Sequence, residues 1–119
     1  MNKYYILTAA IFGFLAVAIG AFGAHGLKDV IPPEKMETFR TGVLYHLVHA
    51  VALLAISLHG NDKFVPGFIF IAVGIVLFSF SLYIYSITGT RFLAMITPVG
   101  GLSFLIGWVF TGIRALSKN

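Results

Sequence analysis

Three histidines in or beside long apolar stretches are the residues of this sequence with the most distinctive chemistry. His25 lies three residues before Lys28, and His46 and His49 lie six and nine residues after Arg40. An imidazole in such surroundings can ligate a metal ion, carry a proton near neutral pH, or donate and accept hydrogen bonds. Because three unpaired imidazoles in lipid would be costly, we expect the histidines to converge and share partners.

Other polar side chains fall at a similar depth in the apolar stretches. Counting from Arg91 in both directions, at about 1.5 Å per helical residue, brings hydroxyl groups into the same half as the histidines. We therefore expect an intramembrane polar pocket with these members: His25, Tyr45, His46, His49, Ser79, Ser81, Tyr83 and Thr97.

Several kinds of chemistry are open to this pocket. Hydrogen bonding between helices is the simplest. A metal site formed by His25, His46 and His49 is a weaker alternative, because the apolar stretches supply no carboxylate, and we assign neither a metal nor a cofactor. A proton or small-solute path is a further alternative, and bis-histidine haem ligation is weaker still. With no buried acid or base partner, we do not expect an enzyme.

The composition requires lipid as the solvent for the elements that position these residues. Of 119 residues, 59% are hydrophobic and only 10% are charged, outside the range of soluble domains. Charge-free intervals of 24, 21, 27 and 22 residues are each long enough to cross a hydrocarbon core about 30 Å thick. We expect one membrane domain, residues 1–119, an all-α four-helix bundle with helices at about 4–27, 33–59, 64–88 and 92–114.

Four crossings place both termini on the same side of the membrane. Pro33 suits the first turn of the second helix, and Glu34 and Glu37 suit its positive end. Four basic residues fall on each side, so the positive-inside rule does not choose an orientation. They are scattered singly, which argues against a nucleic-acid surface, and the lack of cysteine excludes thiolate chemistry.

Small residues at helical spacing predict where the helices approach one another. Lipid gives helices no hydrophobic reason to associate, so close backbone contact must stabilise the bundle. The first helix carries such a face, from Ala9 to Gly23, and the fourth carries another, from Gly100 to Thr111. The glycines that we expect at helix contacts are Gly13, Gly20, Gly23, Gly100, Gly101 and Gly107.

Four sequence blocks in order resemble a known family of small membrane proteins, domain of unknown function 423, with transmembrane protein 256 as an animal relative. The blocks begin with Gly20-Ala21-Phe22-Gly23-Ala24-His25-Gly26-Leu27 and continue with Tyr45-His46-Leu47-Val48-His49-Ala50, Phe78-Ser79-Phe80-Ser81-Leu82-Tyr83 and Ile96-Thr97-Pro98-Val99-Gly100-Gly101, leading to Gly107-Trp108. Phe80 stands where the family usually has glycine, which implies a looser helix contact there. The resemblance implies the four-helix architecture and the polar positions, and it supplies no activity.

These observations predict a multi-pass integral protein of the cell membrane. The function that we expect is that of a structural or accessory component with a polar histidine pocket in the half nearer the first loop. The alternative is a small oligomeric channel or transporter element for protons, metal ions or a small solute. The expected partners are the lipid bilayer and either further copies of the chain or a larger membrane complex, without nucleic acid.

Overall fold

Four long helices make up the computed structural model, which describes residues 1–118. They are α1 (Lys3–Gly26), α2 (Pro33–His59), α3 (Asp62–Thr88) and α4 (Arg91–Ala115). Each is long and apolar enough to cross a membrane, and residues 1–118 contain no β-strand. The expected all-α membrane fold is confirmed, and the helix bounds differ from the expected ones by at most two residues.

Glycines in a left-handed conformation end the second and third helices. Gly60 has φ of 80° and its N–H donates to the Ile56 carbonyl at 3.2 Å. Gly89 has φ of 70° and its N–H donates to the Tyr85 carbonyl at 2.7 Å. A side chain would strain either backbone, so these glycines allow the tight connections to α3 and α4.

Contacts at one end of the bundle bring the termini together. The amino group of Met1 donates to the Gly60 carbonyl at 3.0 Å and pairs with the carboxylate of Asp62. Lys63 Nζ, in the same connection, donates to the Ser117 carbonyl at 3.1 Å. Both termini therefore lie beside the α2–α3 connection, as four crossings require, and the first and third connections lie at the opposite end.

The third helix lies at the centre of the bundle. Of the most apolar 18-residue stretch of α3, 50% is buried within the bundle, whereas only 11% of the corresponding stretch of α1 is buried. α3 packs against α2 and α4, and α1 packs mainly against α2. Leu53 of α2 and Ile71 and Ile75 of α3 are completely buried between these helices. Many other large apolar side chains, such as Leu7 of α1 and Leu105 of α4, face outward, where lipid is their natural surrounding.

Two short π-helical segments interrupt the helices, at Ile19–Gly23 in α1 and Ile75–Phe80 in α3. A π segment inserts one residue into a turn, so it rotates the following residues by about 100° relative to a regular helix. In α3 the segment lies just before the polar residues Ser81 and Tyr83. Their direction therefore differs from the one that regular helical spacing would give them.

Glycines bring α4 close to α3. A Cβ atom at Gly100 would lie 2.6 Å from the Leu77 carbonyl carbon, closer than real atoms approach. One at Gly107 would lie 3.1 Å from the Gly67 carbonyl oxygen. The α3–α4 contact is therefore one of backbone against backbone, for which glycine is required.

The predicted α1 contact is only partly of this kind. A Cβ atom at Gly20 would lie 2.8 Å from a Val43 methyl group, and one at Gly23 would lie 2.9 Å from the Phe39 ring. The structure corrects the expectation for Gly13, where a Cβ would meet nothing within 4 Å because the flanking buried alanines of α1 make the contact instead. Gly101 is also corrected: it lies about 100° around α4 from Gly100, and a Cβ there would make only an ordinary 3.8 Å contact with a phenylalanine ring.

Candidate functional site

His46 is completely buried in α2 and joins that helix to α3. Its Nδ1 atom lies 2.8 Å from the Tyr83 hydroxyl. Phe80 packs against the imidazole with ring centroids 5.4 Å apart, and Phe12 of α1 lies 6.1 Å away in a similar edge-on geometry. The Phe80 side chain therefore fills space beside His46, and aromatic rings separate this histidine from the rest of the polar residues.

Two buried polar atoms, one of His46 itself and one of a nearby serine in α3, have no hydrogen-bond partner within residues 1–118. They are His46 Nε2 and Ser79 Oγ. Both side chains are completely buried. Unpaired buried polar groups are uncommon and costly, so this is the place in the bundle with spare hydrogen-bonding capacity.

His49 joins α2 to α4. Its Nδ1 atom lies 2.7 Å from the Tyr45 carbonyl, which can only accept a hydrogen bond, so Nδ1 must carry the proton. The Nε2 atom is then an acceptor, and the Trp108 indole N–H donates to it at 3.0 Å. The ring stacks on Phe104 with centroids 3.8 Å apart. Both nitrogens of His49 are therefore in use, and neither has a lone pair left for a metal ion.

The hydroxyl residues form a third contact, between α3 and α4. Ser81 Oγ and Thr97 Oγ1 lie 2.7 Å apart, and Ser103 Oγ donates to the Phe70 carbonyl at 2.7 Å. Such bonds between membrane helices contribute about 0.6 kcal/mol each on average. They add polar attachment to the close backbone contact at Gly100 and Gly107.

His25 lies apart from the other histidines. It is exposed at the end of α1 and lines a groove that also contains Lys28 and Arg40. Residues 1–118 contain no group of three His, Cys, Asp or Glu side chains placed to hold a metal ion. The expectation that His25, His46 and His49 share one pocket is therefore corrected.

Helix geometry explains the separation. Residues three apart on a helix point about 60° away from each other, which is enough to direct His46 toward α3 and His49 toward α4. His25 is exposed and lies one residue before the end of α1 at Gly26, whereas His46 and His49 lie within the α2 span. Of the expected pocket members, His46 is paired with Tyr83 and Ser81 with Thr97. Tyr45 contributes its carbonyl to His49, and its ring packs at a tilt against Phe78 with centroids 4.7 Å apart.

Sequence reasoning missed two residues of these contacts. Trp108 was not among the polar residues, although an indole N–H within an apolar span needs an acceptor, and that need is the signal that could have indicated His49. Gly42 was not among the packing glycines, yet a Cβ there would lie 2.9 Å from the Tyr83 ring and 3.3 Å from the Ser79 carbonyl. It lies outside the small-residue repeats and carried no comparable signal.

Comparison with known proteins places this chain in a family. Residues 19–101 match the family model described as "Protein of unknown function (DUF423)". The chain belongs to this family. The match includes all four histidines of this DUF423 chain, among them His46 and His49, together with the Ser81 and Thr97 hydroxyls, and it ends before Trp108.

Relatives of nearly the same length support the assignment. The UPF0382 membrane protein YwdK of Bacillus subtilis is 44% identical, with 96% of this chain and 97% of the relative covered. The UPF0382 inner membrane protein YgdD of Escherichia coli is 38% identical, with 97% and 91% covered. No solved structure matches. The names of these relatives state a membrane location and no enzyme activity, and this DUF423 chain is a multi-pass integral membrane protein.

Proposed function

We propose that this DUF423 protein is a structural or accessory membrane component and not an enzyme. The observation that carries the proposal is the use of the two buried histidines: His46 bonds to Tyr83 of α3, and His49 bonds to Trp108 of α4. Each histidine thus fixes α2 against a different neighbour. Side chains employed in this way hold the helices in a defined arrangement, which is what a membrane scaffold needs.

The separation of the polar contacts supports the same proposal. A conduction path requires polar groups that follow one another across the membrane. Here the Phe80 ring packs beside His46 and the Phe104 ring stacks on His49. The contacts are therefore isolated from each other by aromatic rings, as expected of groups that position helices.

The outward faces of the flanking helices supply the surface for association. Only 11% of the most apolar stretch of α1 and 22% of that of α4 are buried within the chain. Phe14 and Phe22 of α1 are 73% and 76% exposed. Such faces suit lateral contact with lipid, with further copies of the chain or with a larger membrane complex.

Proton flux into vesicles tests this function. Vesicles containing the purified protein and an internal pH dye should respond to an external pH step no faster than protein-free vesicles. His46→Gln and His49→Gln should behave like the unmodified chain, because an amide still donates and accepts hydrogen bonds. Protein-dependent flux that disappears in a folded His46→Gln variant would contradict the scaffold proposal.

A second candidate function, a small channel or transporter element, is favoured by the spare hydrogen-bonding capacity beside His46. A short line of polar groups lies between α2 and α3: the His46 imidazole, the Tyr83 hydroxyl bonded to it, and the buried Ser79 hydroxyl four residues before Tyr83. Imidazole and hydroxyl groups in such a line can exchange protons or bind a small polar solute. Under this candidate, Ser79→Ala should reduce the flux measured in the same vesicles, with Ser86→Ala, another fully buried serine of α3, as the matched control.

A further inference from the structure

A groove at the membrane surface lies between the end of α1 and the beginning of α2. Its volume is about 540 Å³. It is lined by Ala21, Ala24, His25, Lys28, Ile31, Pro33, Met36 and Arg40. The groove is separate from the His46 and His49 contacts, and none of its residues takes part in them.

Basic side chains without partners form the rim of this groove. Lys28 and Arg40 are exposed, and within residues 1–118 neither their side chains nor that of His25 makes a hydrogen bond or ion pair. None of the lining residues is acidic, and Glu37, three residues before Arg40, is not among them. The groove therefore presents cationic groups and a hydrogen-bond donor whose charge the chain itself does not neutralise.

Small and apolar side chains form the wall below the rim. Ala21 and Ala24 leave room along the surface of α1, and Met36 with Ile31 closes the opposite side. Arg40 lies seven residues after Pro33, or about 10 Å further along α2, so its aliphatic stem can lie along this wall while the guanidinium reaches the rim. A ligand in this groove would meet positive charge at the membrane surface and apolar side chains below it.

We propose that this groove binds the headgroup of an anionic phospholipid. The phosphate would lie between Arg40 and Lys28, which suit it by charge and by the paired donors of the guanidinium. The first carbons of an acyl chain would lie over the two alanines. Basic pockets between membrane helices at the surface are a known mode of lipid headgroup recognition, and a free phosphate compound would make no use of the apolar wall.

Lipid retention in native mass spectrometry tests the proposal. Purified protein is exposed to an equimolar mixture of phosphatidylglycerol and phosphatidylcholine with the same acyl chains, and the bound lipids are identified. We expect retention of the anionic lipid. Loss of one basic side chain that contacts the headgroup is expected to weaken binding about fivefold, so Lys28→Gln combined with Arg40→Gln should weaken it about 25-fold.

Matched variants distinguish lipid binding at a defined site from general electrostatic attraction between basic residues and anionic lipid. Arg91→Gln removes the same charge at the same end of the bundle, outside the groove, and should leave retention unchanged. Ala21→Phe fills the groove without a change of charge and should reduce retention. An unchanged midpoint of unfolding in detergent shows that each variant is folded, which we expect because all four side chains are exposed.

Three results would overturn the proposal. They are equal retention of the two lipids by the unmodified protein, equal losses in Arg91→Gln and Arg40→Gln, and displacement of the lipid by millimolar inorganic phosphate. The last result would assign the groove to free phosphate compounds instead.

Discussion

Replacing Gly100 by alanine should separate α4 from α3. The added Cβ would lie 2.6 Å from the Leu77 carbonyl carbon and 2.8 Å from the Phe78 Cα atom, both of them backbone atoms. Ordinary contact begins at 3.4 Å, and the Phe78 backbone nitrogen would lie closer still, so the two helices must move apart locally by roughly 1 Å. Since no flexible side-chain end can yield in their place, the backbone of the π segment has to shift.

The expected cost follows from the effects of overpacking. Adding a methyl group where the surroundings cannot adjust costs about 1–3 kcal/mol. Alanine also favours a helix over glycine by about 1 kcal/mol, which offsets part of that cost. Gly112 of the same helix isolates this second effect, because a Cβ there would meet nothing within 4 Å. Gly100→Ala should therefore be less stable than Gly112→Ala by at least about 1 kcal/mol.

Reversible unfolding by SDS in mixed micelles measures this difference. We expect the Gly100→Ala midpoint to fall below that of the unmodified chain and the Gly112→Ala midpoint to equal or exceed it. The Gly100→Ala variant should also lose the close α3–α4 distance in a crosslinking assay. Equal midpoints for the two variants would refute the view that backbone contact at Gly100 holds these helices together.

Three further predictions concern the polar contacts and the topology. Trp108→Phe should lower the stability measured in the same SDS assay by about 0.5–1.5 kcal/mol, because His49 loses its hydrogen-bond donor. If Trp108→Phe lowers stability by the same amount in a chain whose His49 is already replaced, the prediction is contradicted. Tyr83→Phe should lower stability by about 1–3 kcal/mol because it leaves His46 Nδ1 unpaired, whereas Thr8→Val, at an exposed hydroxyl, should be nearly neutral. Equal effects of the two substitutions would exclude a special role for the His46–Tyr83 hydrogen bond. Reporter cysteines near the two ends of the chain should react alike with an impermeant reagent in intact cells, and opposite reactivity would disprove a common side.

The membrane spans could be predicted because charge and length decide them. A run of about 20 residues without a charge is sufficient for one crossing, and the sequence has four such runs. The predicted helix ends at residues 59 and 88 are each followed by a glycine, Gly60 and Gly89, and both glycines have the left-handed φ that favours this residue type. These features depend on local sequence and on the bilayer, so no knowledge of neighbouring helices was needed.

The polar contacts could not be predicted because they depend on the rotation of each helix. Depth along a helix can be counted from a charged residue, and it correctly placed His46 and His49 inside the bundle. Direction around the helix also requires the crossing geometry of the partners and the π segment in α3. Reasoning from depth alone therefore predicted one shared pocket, whereas His46 bonds to α3 and His49 bonds to α4.

The contacts that attach each helix to its neighbours indicate which part of the bundle moves most readily when the surrounding lipid changes. Within the described residues, side-chain hydrogen bonds between helices join α2 to α3, α2 to α4 and α3 to α4. Along its length α1 relies on packing, with Gly20 against Val43 and Gly23 against Phe39, and polar contacts anchor only its start, where the Met1 amino group pairs with Asp62 within residues 1–118. Lipid offers helices no hydrophobic drive to associate, so the far end of α1, after Gly20, is held less firmly than the other three helices. The proposed lipid groove lies along this same α1–α2 contact, and occupation of the groove would therefore act first on the position of α1.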